Sequence, residues 1–211
     1  MLENGIETSR LALHSAARLA EPPARPHFGF LGSLAWQKGV HILIDAFNSL
    51  PDQAALTIYG SESAFPDYVS ELKAQARHPN IRFAGPIAPD LVGAALRTFD
   101  CLVMPSLWYE NSPLVIQEAF AVGVPVVASD LGALVEKVDH DVTGARFPAG
   151  DSLALGNLLR ELIHDPQRLQ TWRTHIRPGP TLADHVQQIE ALYGSLLADG
   201  TQENQPIAME I

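Results

Sequence analysis

The sequence predicts an α/β fold: a single Rossmann-like, three-layer domain around a roughly six-stranded parallel sheet. Strand and helix patterns alternate about six times from His27 onward. The strand candidates are short and almost continuously apolar, as strands buried on both faces are, rather than alternating apolar with polar. The chain has 211 residues, 46% of them hydrophobic, enough for one buried core and too short for two ordinary domains.

Taken in order, residues 1–20 read as a turn and a short helix with a rough stripe of Leu11, Leu13, Ala16 and Leu19. EPPARP (21–26) holds three prolines and reads as a linker. HFGFLG (27–32) is a strand ending in glycine. KGVHILIDAFNSL (38–50) is a helix with Val40, Leu43, Ile44 and Phe47 on one face. A strand at 54–60, a helix at 65–77 stopped by His78-Pro79-Asn80, a strand at 81–85 and a helix at 89–99 follow. CLVMPS (101–106) and VPVVAS (124–129) are strands, with a helix over 113–121 between them. A short helical turn and TGARFPAG (143–150) precede helices at 151–163, 166–175 and 181–198. The expected organisation is an N-terminal extension and linker (1–26), one domain (27–198) and a flexible tail (199–211).

Composition removes several classes of function. Lys plus Arg number 14 and Asp plus Glu 24, a net charge of −10, and no basic stripe offsets it, so nucleic acid is not an expected partner. No apolar run is long enough to span a membrane, and MLENGIETSR lacks the order of a signal peptide. The one cysteine, Cys101, sits in an apolar run; this fits a buried strand and a reducing, cytoplasmic location. The eight histidines show no pair at the spacing of a helical metal site, and Asp139-His140-Asp141 reads as a charged turn, so no metal is expected. Ser106, Ser112 and Ser129 lie outside any GxSxG elbow, which argues against serine hydrolysis.

In a parallel sheet the ligand crevice lies beyond the carboxyl ends of the strands, so the strand-to-helix loops are where chemistry is expected. The first, Gly32-Ser33-Leu34-Ala35-Trp36-Gln37-Lys38-Gly39, offers close backbone approach at Gly32 and a lysine at a helix start. Both suit a phosphate, although Lys38 is equally readable as a solvated lysine on a tight turn. The loop matches neither the P-loop nor GxGxxG.

The loop after the fourth strand runs from Pro105 to Val115. Ser112 is a natural N-cap and Pro113 a natural first helical residue, which would aim the N–H groups of Leu114 and Val115 into the crevice as a second anion site. Glu110 precedes that cap. Glu118 lies on the face of Leu114 and Val115 and leans toward the helix start. Carboxylates repel phosphate and accept hydrogen bonds from hydroxyls, so a ribose and a hexose are their natural partners. The plainer reading makes Glu110 a solvated loop residue and Glu118 a partner of a neighbouring N–H. Trp36, Trp108 and Tyr109 also lie on crevice loops, as pocket or domain-contact residues or as ordinary loop anchors.

These loops, in this order, resemble the C-terminal, nucleotide-sugar-binding domain of the retaining glycosyltransferases of family 4, the glycosyl transferases group 1 type with two facing Rossmann domains (GT-B). The resemblance covers about His27 to Asp151 and is densest over PSLWYENSPLVIQEAFAVGVPVVASDLGALVEKV. Glu110-x7-Glu118 is similar to the family's paired-glutamate motif, and Lys38-Gly39 to the end of its GRLxxxKG. TGARFPAGD and the early Asn4-Gly5-Ile6-Glu7 match further family stretches. The resemblance implies a metal-independent hexosyltransferase of glycan or glycoconjugate synthesis, needing no cofactor, with a nucleotide-diphosphate-sugar as donor. It implies that Gly32, Ser33 and Lys38 meet the diphosphate, and that Leu114 and Val115 cradle its distal phosphate. Glu110, as catalytic residue, would hold the sugar together with Asn111, Ser112 and Pro113. Glu118 would bind the ribose, and the backbone at Pro86 and Ile87 the base.

Two departures stand out. Where the family often carries arginine this chain has Ser33. Losing one charge-assisted bond of roughly 1.5–3 kcal/mol lowers donor affinity by about an order of magnitude or more. The second is length: the family's acceptor domain precedes this one, and nothing before Asn4 supplies it. The chain by itself is therefore expected to bind donor weakly and transfer nothing, its missing partner being that N-terminal acceptor domain. Self-association as a homodimer through the rim of Trp36, Trp108 and Tyr109 is a further expectation. A non-catalytic nucleotide-sugar-binding module, or an epimerase or hydrolase on the same architecture, are the competing readings.

Overall fold

A computed structural model describes residues 4–11 and 23–202. Six strands, β1 (His27–Leu31), β2 (Ala55–Tyr59), β3 (Ile81–Gly85), β4 (Cys101–Met104), β5 (Val126–Ser129) and β6 (Gly144–Phe147), form one sheet in the order β3-β2-β1-β4-β5-β6. Every pairing is parallel. The helices are α1 (Val40–Asn48), α2 (Pro66–Gln75), α3 (Val92–Leu96), α4 (Leu114–Ala121), α5 (Ala133–Lys137), α6 (Ser152–His164), α7 (Gln167–His175) and α8 (Leu182–Gln202). The predicted α/β sheet is observed, with most boundaries within two residues of expectation. The helix expected over 89–99 is shorter: Pro89–Leu91 is a 3₁₀ turn and α3 begins at Val92. α8 runs four residues past the expected domain end.

Continuous apolarity in the strands has its reason in the layers. Along β4, Cys101 and Val103 join one core while Leu102 and Met104 join the other. In β5, Val127 faces the first and Val126 and Ala128 the second. Period-two side chains thus find an apolar layer on both faces. The first core is closed by α1, α2, α6 and α7, around Phe28, Phe30, Phe47 and Trp172. The second is closed by α3, α4 and α5. Of residues 1–20, the described part packs on the domain: Ile6 bridges Thr181, and Leu11, at the end of a 3₁₀ turn, is buried. The rest of the expected N-terminal helix, and the tail beyond Gln202, lie outside the described residues.

Because β1 pairs with β2 on one side and β4 on the other, the chain reverses its winding between β1 and β4. A crevice opens there, beyond the carboxyl ends of the strands. The opposite end is held by a buried ion pair. Arg173 Nη2 lies 2.9 Å from Asp100 Oδ1, with the side chains only 3% and 7% exposed. Asp100 Oδ2 accepts from the N–H of His27 at 2.9 Å, so one carboxylate joins α7, β1 and the start of β4. Cys101 follows it, and burial pushes its thiol up to about 12, leaving it inert at neutral pH.

Removing one member of a buried pair leaves the other charge uncompensated, at a cost of about 3–5 kcal/mol. Asp100→Ala is expected to lose that much in urea unfolding with little change in m-value. A loss of less than about 1 kcal/mol, close to what a surface substitution costs, would show that the pair is not the tie described.

Candidate functional site at the switch point

The loop after β1 and the loop after β4 touch. A 3₁₀ turn over Trp36–Lys38 ends at Gly39, which adopts φ 66° and serves both as its C-cap and as the N-cap of α1. A Cβ at Gly39 would lie 1.9 Å from the carbonyl oxygen of Pro105. Only glycine offers both the left-handed conformation and that approach. The contact is reinforced where the Leu107 N–H donates to Gln37 O at 2.8 Å and Ser106 Oγ to the same carbonyl at 3.2 Å.

This junction brings Lys38 to Glu110. Lys38 Nζ donates to Glu110 Oε1 at 2.7 Å and Oε2 at 3.0 Å. Ser106, buried at 1% exposure, donates to the same Oε1 at 2.8 Å. The carboxylate is thus held from two sides, and the pair stands at the wall of a cavity of about 330 Å³. Gly32, Ser33, Ser112, Pro113, Leu114 and Val115 line it with Lys38 and Glu110, over a floor that includes Phe30 and Met104.

Eight of the predicted site residues therefore share one cavity: Gly32, Ser33, Lys38, Glu110, Ser112, Pro113, Leu114 and Val115. Asn111 is exposed on the same loop but does not line it. Pro86 and Ile87 follow β3, at the sheet edge two strands away; Pro86 is exposed, while Ile87 packs beside Leu31 and Val115 on the second core. Glu118 lies one turn further along α4, half-buried, and does not line the cavity. No described residue gives it a hydrogen bond or ion pair, and burial raises its carboxyl above the usual range.

The helix start needs one correction. Ser112 is not its N-cap. Pro113 occupies that position with φ −72° and ψ 92°, and no side chain caps the helix. The extended ψ of Pro113 keeps it outside the first turn, so α4 begins at Leu114. The consequence favours a ligand: the first-turn N–H groups at Leu114 and Val115 have no side-chain oxygen to satisfy them.

Ser106 escaped the sequence reading as a site residue, having been weighed only as a hydrolytic nucleophile. Its place just beyond β4, four residues before Glu110, was the available signal. Among the described residues no group of three or more His, Cys, Asp or Glu could hold a metal. No described helix is long and apolar enough to cross a membrane.

A family model described as "Glycosyl transferases group 1" matches residues 25–165. A D-inositol 3-phosphate glycosyltransferase of Xylanimonas cellulosilytica is 34% identical over 76% of this chain and 39% of its own length. A phosphatidyl-myo-inositol mannosyltransferase of Mycobacterium leprae is 33% identical over 78% of the chain and 44% of its own. The chain thus spans about two fifths of the length of these relatives. Anabaena Alr3699/HepE, crystallised in complex with UDP-glucose, superposes with TM-score 0.77 and 27% identity over 91% of this chain and 56% of that one.

Two substitutions test the geometry. Gly39→Ala forces a non-glycine residue into the left-handed region, worth about 1–3 kcal/mol, and adds the Pro105 clash. A clear fall in melting temperature is expected, and an unchanged one would remove the contact from the account. Glu118 has a raised folded pKa, so the folded state holds its proton more tightly than the unfolded state. Its effect on stability is harmless below the ordinary carboxylate pKa and becomes unfavourable as pH rises through the folded value. Glu118→Gln should therefore melt higher than wild type at pH 7, with the gain vanishing below about pH 4. A variant that melts lower at pH 7 would contradict the burial argument.

Proposed function

Because this chain belongs to the glycosyl transferases group 1 family, we propose that its switch-point crevice binds the donor of a retaining, metal-independent hexosyl transfer in glycan or glycoconjugate synthesis. The observation that carries this reading is the convergence of Lys38 and the uncapped start of α4 on one cavity. A diphosphate is the group that two such elements suit, because a cation and a row of free N–H groups neutralise charge without a metal.

In this reading the donor's diphosphate lies between Lys38 and the Leu114 and Val115 N–H groups, beside Gly32. Ser33 adds one hydroxyl where a second cation would bind more strongly. When the bond from the sugar's anomeric carbon to the diphosphate oxygen breaks, negative charge builds on the phosphate, and the same groups stabilise it. Glu110 faces the sugar and accepts from its hydroxyls, held by Ser106 as Lys38 turns to phosphate. Glu118 accepts from the ribose. Its lack of a partner among the described residues and its desolvated carboxyl suit a group that waits for hydroxyl donors. The base then lies toward Pro86 and Ile87, where Ile87 and Val115 border the same apolar cluster. The acceptor comes from outside the crevice, against a second wall.

Calorimetric titration with UDP-, GDP- and ADP-sugars and inorganic pyrophosphate tests this. Lys38→Ala removes a charge-assisted bond of roughly 1.5–3 kcal/mol and should weaken pyrophosphate and nucleotide binding tenfold or more. Glu118→Gln should weaken the nucleotides and spare pyrophosphate. Dissociation constants unchanged by Lys38→Ala would overturn the assignment of the diphosphate site.

A further inference from the structure

The Lys38–Glu110 pair has a second side. The same two residues also line a second cavity of about 400 Å³ with Trp36, Gln37 and Trp108. Its size falls within the roughly 300–1,000 Å³ of small-molecule sites. Both indoles are more than half exposed, at 61% and 64%, an unusual state for two tryptophans sharing one cavity.

Trp36 is not a loose surface side chain. Its indole stacks on the imidazole of His41, centroids 5.9 Å apart and planes 21° from parallel. His41 is held in turn: Tyr68 meets its ring edge-on, and the Tyr68 hydroxyl lies 2.7 Å from His41 Nδ1. Burial lowers the His41 pKa, although the Asp45 carboxylate pulls the other way, so the site favours the neutral ring under Trp36. One face of the indole is covered by this relay, and the exposed remainder is fixed in orientation before any ligand arrives.

The lining decides among ligand classes. A cation is disfavoured because Lys38 is in the wall. An anion finds no net charge to attract it, since Glu110 balances Lys38 and the Leu114 and Val115 N–H groups do not line this cavity. A wholly apolar group would take the Gln37 amide and the Lys38–Glu110 pair out of water and return no new hydrogen bond to them. What remains is a neutral molecule with apolar faces and a polar rim. A pyranose ring has that form: its C–H faces suit indole, and its rim hydroxyls suit an amide and a carboxylate.

We infer that the cavity between Trp36 and Trp108 is a saccharide subsite. If the donor reading of the neighbouring crevice holds, on which this further role rests, the subsite seats a sugar unit of the acceptor, across the Lys38–Glu110 pair from the diphosphate.

Ligand-observed saturation-transfer NMR on the full chain, with glucose, mannose, galactose, their methyl glycosides and maltose at tens of millimolar, tests the binding. Saturable transfer to ring C–H protons is expected for at least one of them. Trp36→Ala and Trp108→Ala should each weaken that binding about tenfold or more, the usual loss for a truncated aromatic anchor. Trp108→Ala should melt with wild type, Trp36→Ala should melt slightly lower through loss of the His41 stack while staying folded, and pyrophosphate affinity should stay within about twofold in both. No saturable transfer from any of the sugars, or transfer that both variants retain, overturns the subsite. So does a tenfold loss of uridine diphosphate binding in the tryptophan variants with pyrophosphate binding intact, which would make the indoles a nucleobase clamp. Failure of the donor reading shows separately, as pyrophosphate binding indifferent to Lys38→Ala, and leaves the saccharide result standing.

Discussion

The carbonyl of Pro105 rests against the α-carbon of Gly39, and the chemistry at the switch point depends on that contact. β1 and β4 are neighbours only because the sheet reverses its winding between them. Pairing alone would leave their loops side by side. The left-handed turn at Gly39 and the hydrogen bonds from Ser106 and Leu107 to Gln37 draw them into one wall. From that wall Lys38 and Glu110 reach each other, 72 residues apart in sequence. The uncapped start of α4 faces the same space. A shift of about 1 Å between these loops would break every distance that the site relies on.

The pair of charges is an economical device in an otherwise acidic chain. Glu110 would repel a diphosphate if it stood alone beside it. Bound to Lys38 and Ser106, it is neutralised and kept in place. The same pair lines two cavities of different character, one that Leu114 and Val115 also line and one that Trp36 and Trp108 also line.

Glu118 illustrates the opposite choice. It is half-buried, has no hydrogen-bond or ion-pair partner among the described residues, and holds its proton more tightly than a free carboxyl. A structural carboxylate would have been paired or exposed. Carboxyls shifted by burial are enriched at functional sites, which is why the proposed ribose contact falls on this residue. The buried Asp100–Arg173 pair differs in just this respect, since its charges are satisfied within the fold and tie three elements together.

The sequence by itself determined the layers and the loops. Apolar runs of four to six residues could only be parallel strands between two helical layers, and the helical stripes marked their own faces. That in turn confined the chemistry to loops at the strand ends, and Lys38, Glu110 and the α4 start were legible there from their place on those loops together, since each alone reads as well as an ordinary surface feature. What the tertiary structure decided was who meets whom. Sequence spacing gives no hint that Lys38 binds Glu110, since the two lie on different crossovers. It could not show that Pro113 displaces Ser112 from the cap, because the two differ only in the ψ of one residue. Nor could it reveal that Ser106 is a holder of Glu110, or that His41 and Tyr68 stand behind Trp36. Local pattern fixes which face a side chain points to; its partners follow only once the sheet order and the loop packing bring distant segments together.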